Sequence, residues 1–212
     1  MNRVRKTYLE SLKIALDLLK RGEVEQAWAE PSALAGWSVG GLAGHLGRAF
    51  TTVKDYLEAD HAPTGEAVSA AAYYAAAVDT DELDSELHRG IRQRGEEMAS
   101  KGYNALLQME KTLLDQLRTT LHEEPDSRRV RVHKGMVVSL DDYLITRLVE
   151  LSVHIDDLAV SVGIPTPSFP SATLDFAIEA LVSTARHRYG DLGVLRALAR
   201  RERDEVNALR VF

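Results

Sequence analysis

Apolar residues recur at intervals of three and four along most of the chain, as in Leu9, Leu12, Leu16 and Leu19, whereas strict alternation is nearly absent. Such spacing places apolar side chains on one face of a helix and predicts a mostly helical protein. The first helix is expected over residues 3–21, ending at Gly22 behind a basic last turn. A loop with Trp28, Pro31, Gly36 and Trp37 follows. Ser38 can then cap a second helix, which carries Leu42, His45, Leu46, Ala49, Phe50, Val53 and Leu57 on one side and ends at the loop 61–65.

Residues 69–78 read as a short alanine-rich helix and 81–122 as a long one, with Gly90, Gly95 and Gly102 as points where it bends or breaks. An extended or hairpin pattern is confined to residues 126–139, where Arg129-Val130-Arg131-Val132-His133 and Val137-Val138 surround Gly135. Ser139 then caps a helix running to about residue 162. The proline-rich run 163–170 breaks the pattern, and two more helices are expected near 171–188 and 192–206. Four long helices, a long connection between the second and third, and further helices at the end predict an all-α four-helix bundle over residues 1–163. A C-terminal helical extension over 164–212 is expected to pack on it.

Composition narrows the chemistry. No cysteine occurs in 212 residues, which excludes disulfides, sulfur-ligated metals and a cysteine nucleophile and fits a reducing cytoplasm. With 26 Lys and Arg against 32 Asp and Glu, the net charge of −6 offers no general basic field for nucleic acid. The basic start, Arg3-Val4-Arg5-Lys6, leads into Thr7-Tyr8-Leu9-Glu10 rather than an apolar run, so no signal peptide is read. The most apolar stretches fall short of the roughly 20 residues of a membrane span. A soluble, cytoplasmic protein, monomer or homodimer, is the expectation.

The candidate chemistry lies on the helix expected over 139–162. At about 100° per residue, Leu144, Leu148, Leu151, Ile155 and Leu158 share a core face, and Val149, Val153 and Val160 lie nearly opposite. The second stripe calls for cover from the C-terminal helices or another subunit. Between the stripes stand Arg147, Glu150, His154 and Asp157. Glu150 and His154, four apart, can aim a carboxylate oxygen and an imidazole nitrogen at one point and so form two legs of a metal site. They can equally be a pair that supports the helix by a few tenths of a kcal/mol. His45 is the natural third ligand, or else a satisfied histidine beside the core. His61, His88, His122, His133 and His187 sit in loops or on charged faces and read as solvated. Arg147 can serve as a surface partner of Glu150.

Two segments together carry a family resemblance: Trp28-Ala29-Glu30-Pro31-Ser32 continuing through Gly36-Trp37-Ser38-Val39-Gly40-Gly41-Leu42 to His45-Leu46, and Arg147-Leu148-Val149-Glu150-Leu151-Ser152-Val153-His154-Ile155-Asp156-Asp157-Leu158. The chain ends, 190–200 and 208–212, add to it. The sequence resembles the metal-binding N-terminal domain of the mycothiol-dependent maleylpyruvate isomerase family, within the DinB-like superfamily. That resemblance implies a DinB-like bundle with one divalent metal, commonly zinc, on His45, Glu150 and His154. It also implies mycothiol or another low-molecular-weight thiol as cosubstrate and a small electrophilic substrate, in a transferase or isomerase reaction. Arg147 and Asp157 are the candidate catalytic residues, with Asp157 or Asp156 orienting His154 or anchoring a polar cofactor group. The isomerase has a separate C-terminal domain that supplies an arginine, whereas only about forty residues follow Pro170 here. Arg147, Arg186, Arg188, Arg196, Arg200 and Arg201 are the candidates to replace it. The rival expectations are a thiol-independent metal hydrolase, with Asp157 as general base, and a non-enzymatic binding or regulatory module.

Overall fold

In the computed structural model, which describes all residues except 60–62, 78–84, 204–206 and 210–212, four long helices form the central bundle. These are α1 (Arg3–Leu19), α3 (Val39–Ala59), α6 (Tyr103–Glu123) and α7 (Leu140–Ser161). Each of α1 and α3 packs against both α6 and α7. A short α2 (Gly22–Gln26) follows α1, α4 (Ala70–Ala77) and α8 (Ser171–Ala199) cover the outer side of α7, and α5 (Glu86–Ala99) lies along α3. The expected four-helix bundle with a short extended element before its last helix is therefore the observed architecture. None of the described helices is long and apolar enough to cross a membrane.

The periodic leucines build the core as their spacing requires. Leu12, Leu42, Phe50, Leu144, Leu148, Leu151, Ile155 and Leu158 are inaccessible to solvent and belong to one continuous cluster. The second stripe on α7 meets α4 and α8: Val149 is buried with Tyr74, Ala177 and Ala180, and Val153 packs beside them. Val160, beyond that cover, is exposed. At the far end, Arg5 is buried and its guanidinium donates to the carbonyls of Leu121, Glu124 and Pro125 and to Asp141 on α7. It satisfies carbonyls that the end of α6 would otherwise leave unpaired.

The extended element is larger than a hairpin. Strand β2 (Arg129–Arg131) pairs antiparallel with β3 (Val137–Ser139), and β1 (Ala67–Val68) adds parallel to β3, with Ala67 opposite Val137 and Arg129 opposite Ser139. Two residues are too few to display a strand period, which is why β1 gives no signal in the sequence. The turn between β2 and β3 places Lys134 and Gly135 in the left-handed region. Ser139 caps α7 as expected, its hydroxyl accepting from the Asp142 amide at 2.9 Å.

Three boundaries differ from expectation. The first helix stops at Leu19, and Gly22 opens α2 because Val24 is drawn fully into the core. The segment expected as a long helix over 81–122 is two helices, broken at Gly102, one of the three glycines where a bend or break is expected, whose φ of 90° is open only to glycine at little cost. The first of the two stays continuous through Gly90 and Gly95; positions 81–84 lie outside the described residues. Finally, α8 is two helical segments meeting, as expected, at a kink at Gly190 (φ 72°, ψ 162°), but the second ends at Ala199; positions 204–206 are likewise outside the described residues.

Gly95 does the opposite of breaking its helix. Ser38 caps α3 by accepting from the Gly41 amide at 2.8 Å, and Glu96 of α5 accepts from the Ser38 amide and hydroxyl, both at 2.9 Å. From this anchor α5 runs along α3 at backbone distance. A Cβ on Gly44 would stand 2.3 Å from the Gly95 carbonyl oxygen, and one on Gly95 would stand 2.6 Å from that of Gly41.

Two predictions follow from these contacts. Gly44→Ala should cost about 3 kcal/mol, because rigid backbone stands where the methyl must go, and so lower the melting temperature by roughly 6–12 °C; Gly90→Ala, which meets only the flexible Arg94 side chain, should not. An unchanged melting curve for Gly44→Ala would refute the backbone contact. The second concerns Glu110 on α6, buried with Oε2 unpartnered, whose carboxyl burial pushes up to about 8. A folded pKa above the unfolded one means that stability is complete below about pH 4 and is lost as pH rises toward 8. Denaturant unfolding between pH 5 and 8 should therefore show the wild type losing stability relative to Glu110→Gln; parallel pH profiles would contradict the assignment.

Candidate metal centre

Helix α3 contributes His45, and α7 contributes Glu150 and His154 one turn apart. Their donor atoms converge: His45 Nε2 lies 3.2 Å from His154 Nε2 and 3.5 Å from Glu150 Oε2, and His154 Nε2 lies 3.3 Å from the same oxygen. An ion bound tetrahedrally by nitrogen and oxygen at about 2.0–2.1 Å sets its ligand atoms about 3.3–3.4 Å apart. The three side chains, each less than a fifth exposed, have that spacing. The donor set fits a divalent ion of borderline character such as zinc and leaves a tetrahedral position for a further ligand.

The surroundings hold these donors in place. His154 Nδ1 lies 3.0 Å from Asp157 Oδ2, so the proton on Nδ1 faces a carboxylate and the lone pair on Nε2 faces the other ligands. The Tyr74 hydroxyl stands 2.8 Å from Glu150 Oε1 and 2.7 Å from the Thr146 carbonyl. Arg147 places its guanidinium 3.8 Å from Glu150 Oε1, over the Tyr143 ring at 5.0 Å, with Nε donating to Thr146 Oγ1. Trp37 packs on the His45 ring at 5.1 Å between centroids. His45 Nδ1 is buried without a partner, the one donor lacking a second support.

Electrostatics follow from these neighbours. Burial depresses His45, outweighing its contact with Glu150. Burial also opposes the charges on Glu150 and His154. Glu150 is nonetheless held well below the usual carboxylate range by His154, His45 and Arg147, and His154 is raised to about 9 by its hydrogen bonds to Asp157 and Glu150.

Of the residues singled out from sequence, His45, Glu150, His154 and Asp157 come together. Arg147 lies beside Glu150, its guanidinium nearest Oε1, whereas Oε2 is the oxygen that meets the two imidazoles. Asp156 is exposed and accepts a hydrogen bond from Thr166. In the tail, Arg186 is exposed and paired with Asp191 at 2.7 Å, and Arg196, Arg200 and Arg201 are exposed. Among the other histidines, His122, His133 and His187 are exposed; His88, expected to be solvated, is half-buried with Nδ1 3.1 Å from the Ser85 hydroxyl because that serine caps its helix; and His61 lies outside the described residues. Sequence reasoning did not single out Tyr74, because its alanine-rich helix has no polar face against which one tyrosine stands out. A cavity of about 640 Å³ between α4, α7 and α8 includes none of the three ligands; its Asp142 serves the α7 cap.

A helical bundle that holds a His-Glu-His group with only nitrogen and oxygen donors between two of its helices is the class that fold and site define. The chain belongs to the mycothiol maleylpyruvate isomerase N-terminal domain family, whose model matches residues 10–159. The match takes in all three candidate ligands and Asp157. Comparison with curated proteins and with solved structures finds no match.

Because Asp157 fixes the tautomer of His154, Asp157→Asn should weaken zinc affinity roughly 10- to 100-fold while leaving the fold intact. Competition with a chromogenic chelator measures this directly, and wild-type affinity in the variant would overturn the role given to Asp157.

Proposed function

We propose that the protein is a zinc- and thiol-dependent transferase or isomerase, in which mycothiol or a similar small thiol is joined to an electrophilic substrate beside His45, Glu150 and His154. The observation that carries this reading is the convergence of three donors without a sulfur among them, in a chain of this family. When bound, a zinc ion supplies Lewis acidity that lowers the pKa of a thiol reaching its open position. The chain's own residues prepare that position. Two imidazoles and one carboxylate would hold the ion, Asp157 keeps the proton on Nδ1 of His154, and His154, His45 and Arg147 keep Glu150 ionised while Tyr74 stands against its other oxygen. Trp37 shields the His45 side from water. Arg147 and Asp157 touch Glu150 and His154 themselves, and in this reading both act as positioning residues. With no cysteine in the chain, the nucleophilic sulfur has to come from the cosubstrate.

The test is conjugation of mycothiol to a generic electrophile such as bromobimane. A free thiol of pKa near 8.5 is only about 3% thiolate at pH 7, so the loaded protein should accelerate the reaction and shift its acid limb to lower pH. Chelation or His154→Ala should abolish the shift. Turnover of an ester or amide without thiol, or conjugation indifferent to zinc, would contradict the proposal.

A further inference from the structure

One helical turn beyond His45 on α3, a second site opens that uses none of the ligands described above. A cavity of about 580 Å³ lies between α3, α5 and α6, lined by Arg48, Arg94, Glu97, Met98, Lys101 and Met109 together with Ala105 and Leu106. That volume is in the range of small-molecule sites. Three of its wall residues are cations, and among the described residues none of the three has a carboxylate within ion-pair distance. The acid in the wall, Glu97, already accepts from Gln93 at 2.7 Å. Glu110 nearby, which meets Met98 and Leu106 around Gly47, is held protonated at neutral pH by burial and offsets nothing.

Arg48 is the least solvated of the three. It is half-buried, and burial together with the charges of Arg94 and Arg147 pushes its pKa down. A guanidinium kept among like charges, at the edge of a cavity and with no counter-charge, is a standing electrostatic cost that an anion would relieve. The remaining walls, Met98, Met109, Leu106 and Ala105, are apolar, and two of them are thioethers that adapt to the shape of what they meet.

We propose that this cleft binds a small amphipathic organic anion, its carboxylate or phosphate headgroup held by Arg48, Arg94 and Lys101 and its apolar body laid against Met98 and Met109. The site is independent of the metal and the thiol: it is a direct binding property, and its failure would leave the reaction proposed above untouched. Guanidinium forks take either headgroup in bidentate fashion, and Lys101 adds a point charge at the rim.

Calorimetric titration of the full-length protein with 3-phenylpropanoate, phenyl phosphate and neutral 3-phenylpropanamide tests it. One or both anions should bind, at least tenfold more tightly than the amide, and more weakly as sodium chloride is raised. Binding of the carboxylate alone assigns organic acids, and binding of the phosphate alone assigns phosphate monoesters; both support the site. Arg48→Gln should lower affinity at least tenfold. Arg94→Gln with Lys101→Gln, a pair of changes at exposed positions that the fold tolerates, should also lower it and reduce the salt dependence. Equal binding of the amide, no binding of either anion, or wild-type affinity in the Arg94 and Lys101 double variant would overturn the proposal.

Discussion

Three electron-pair donors pointed at one another in a partly dry space are the constraint around which this molecule is arranged. Left to themselves, His45, Glu150 and His154 would turn apart toward water, since clustered acceptors without a cation or proton between them are unfavourable. Their backbone supports prevent this. His45 stands on α3 between Leu42 and Leu46, and Glu150 and His154 stand on α7 beside Leu151 and Ile155, all four apolar neighbours buried in one core. The distance between α3 and α7 is thus a packing property, fixed by side chains that have no part in the chemistry. On the other flank, α5 grips α3 through glycines at backbone distance and through the hydrogen bonds of Glu96 to Ser38, which limits rotation of the helix that carries His45.

Charge is organised in the same layered way. Glu150 carries the negative charge nearest the site, and it is flanked by the guanidinium of Arg147 and the hydroxyl of Tyr74, so its second oxygen is occupied and its first is free for coordination. Asp157 adds a second carboxylate one turn on, behind His154. Two carboxylates against one buried arginine leave a local deficit of positive charge that a divalent ion would more than fill. A few residues further along α3, the balance reverses: Arg48 feels the like charges of Arg94 and Arg147, and among the described residues no carboxylate is within ion-pair distance of Arg48, Arg94 or Lys101 in the α3–α5–α6 cleft. The molecule therefore presents a cation-seeking point and an anion-seeking cleft on neighbouring turns of one helix.

The central bundle was legible because leucine spacing reports burial, and because Ser38 and Ser139 announce helix starts with side chains that bond their own backbone. The three convergent donors were legible in part: Glu150 and His154 share a face by spacing alone, whereas the choice of His45 needed either geometry or a family resemblance. Arg147 illustrates the limit. Its spacing placed it near Glu150, but which oxygen of Glu150 is left for the histidines depends on the mutual rotation of α3 and α7, which no single-helix pattern contains. Gly95 was misleading for a related reason: a glycine inside a helix signals a weak point when the helix is considered alone, and a close crossing when its neighbour is Gly44. Tyr74 and Arg5 act across more than seventy and one hundred residues of chain respectively, beyond the reach of local patterns.

The central claim is that nitrogen and oxygen donors from α3 and α7 hold a zinc ion to which an external thiol adds. Zinc-edge X-ray absorption of the loaded protein, before and after saturation with mycothiol, tests it most directly. The account predicts a shell of nitrogen and oxygen alone at about 2.0–2.1 Å without the thiol, and one added sulfur at about 2.3 Å with it. A spectrum that shows no sulfur with the thiol at saturation would contradict it.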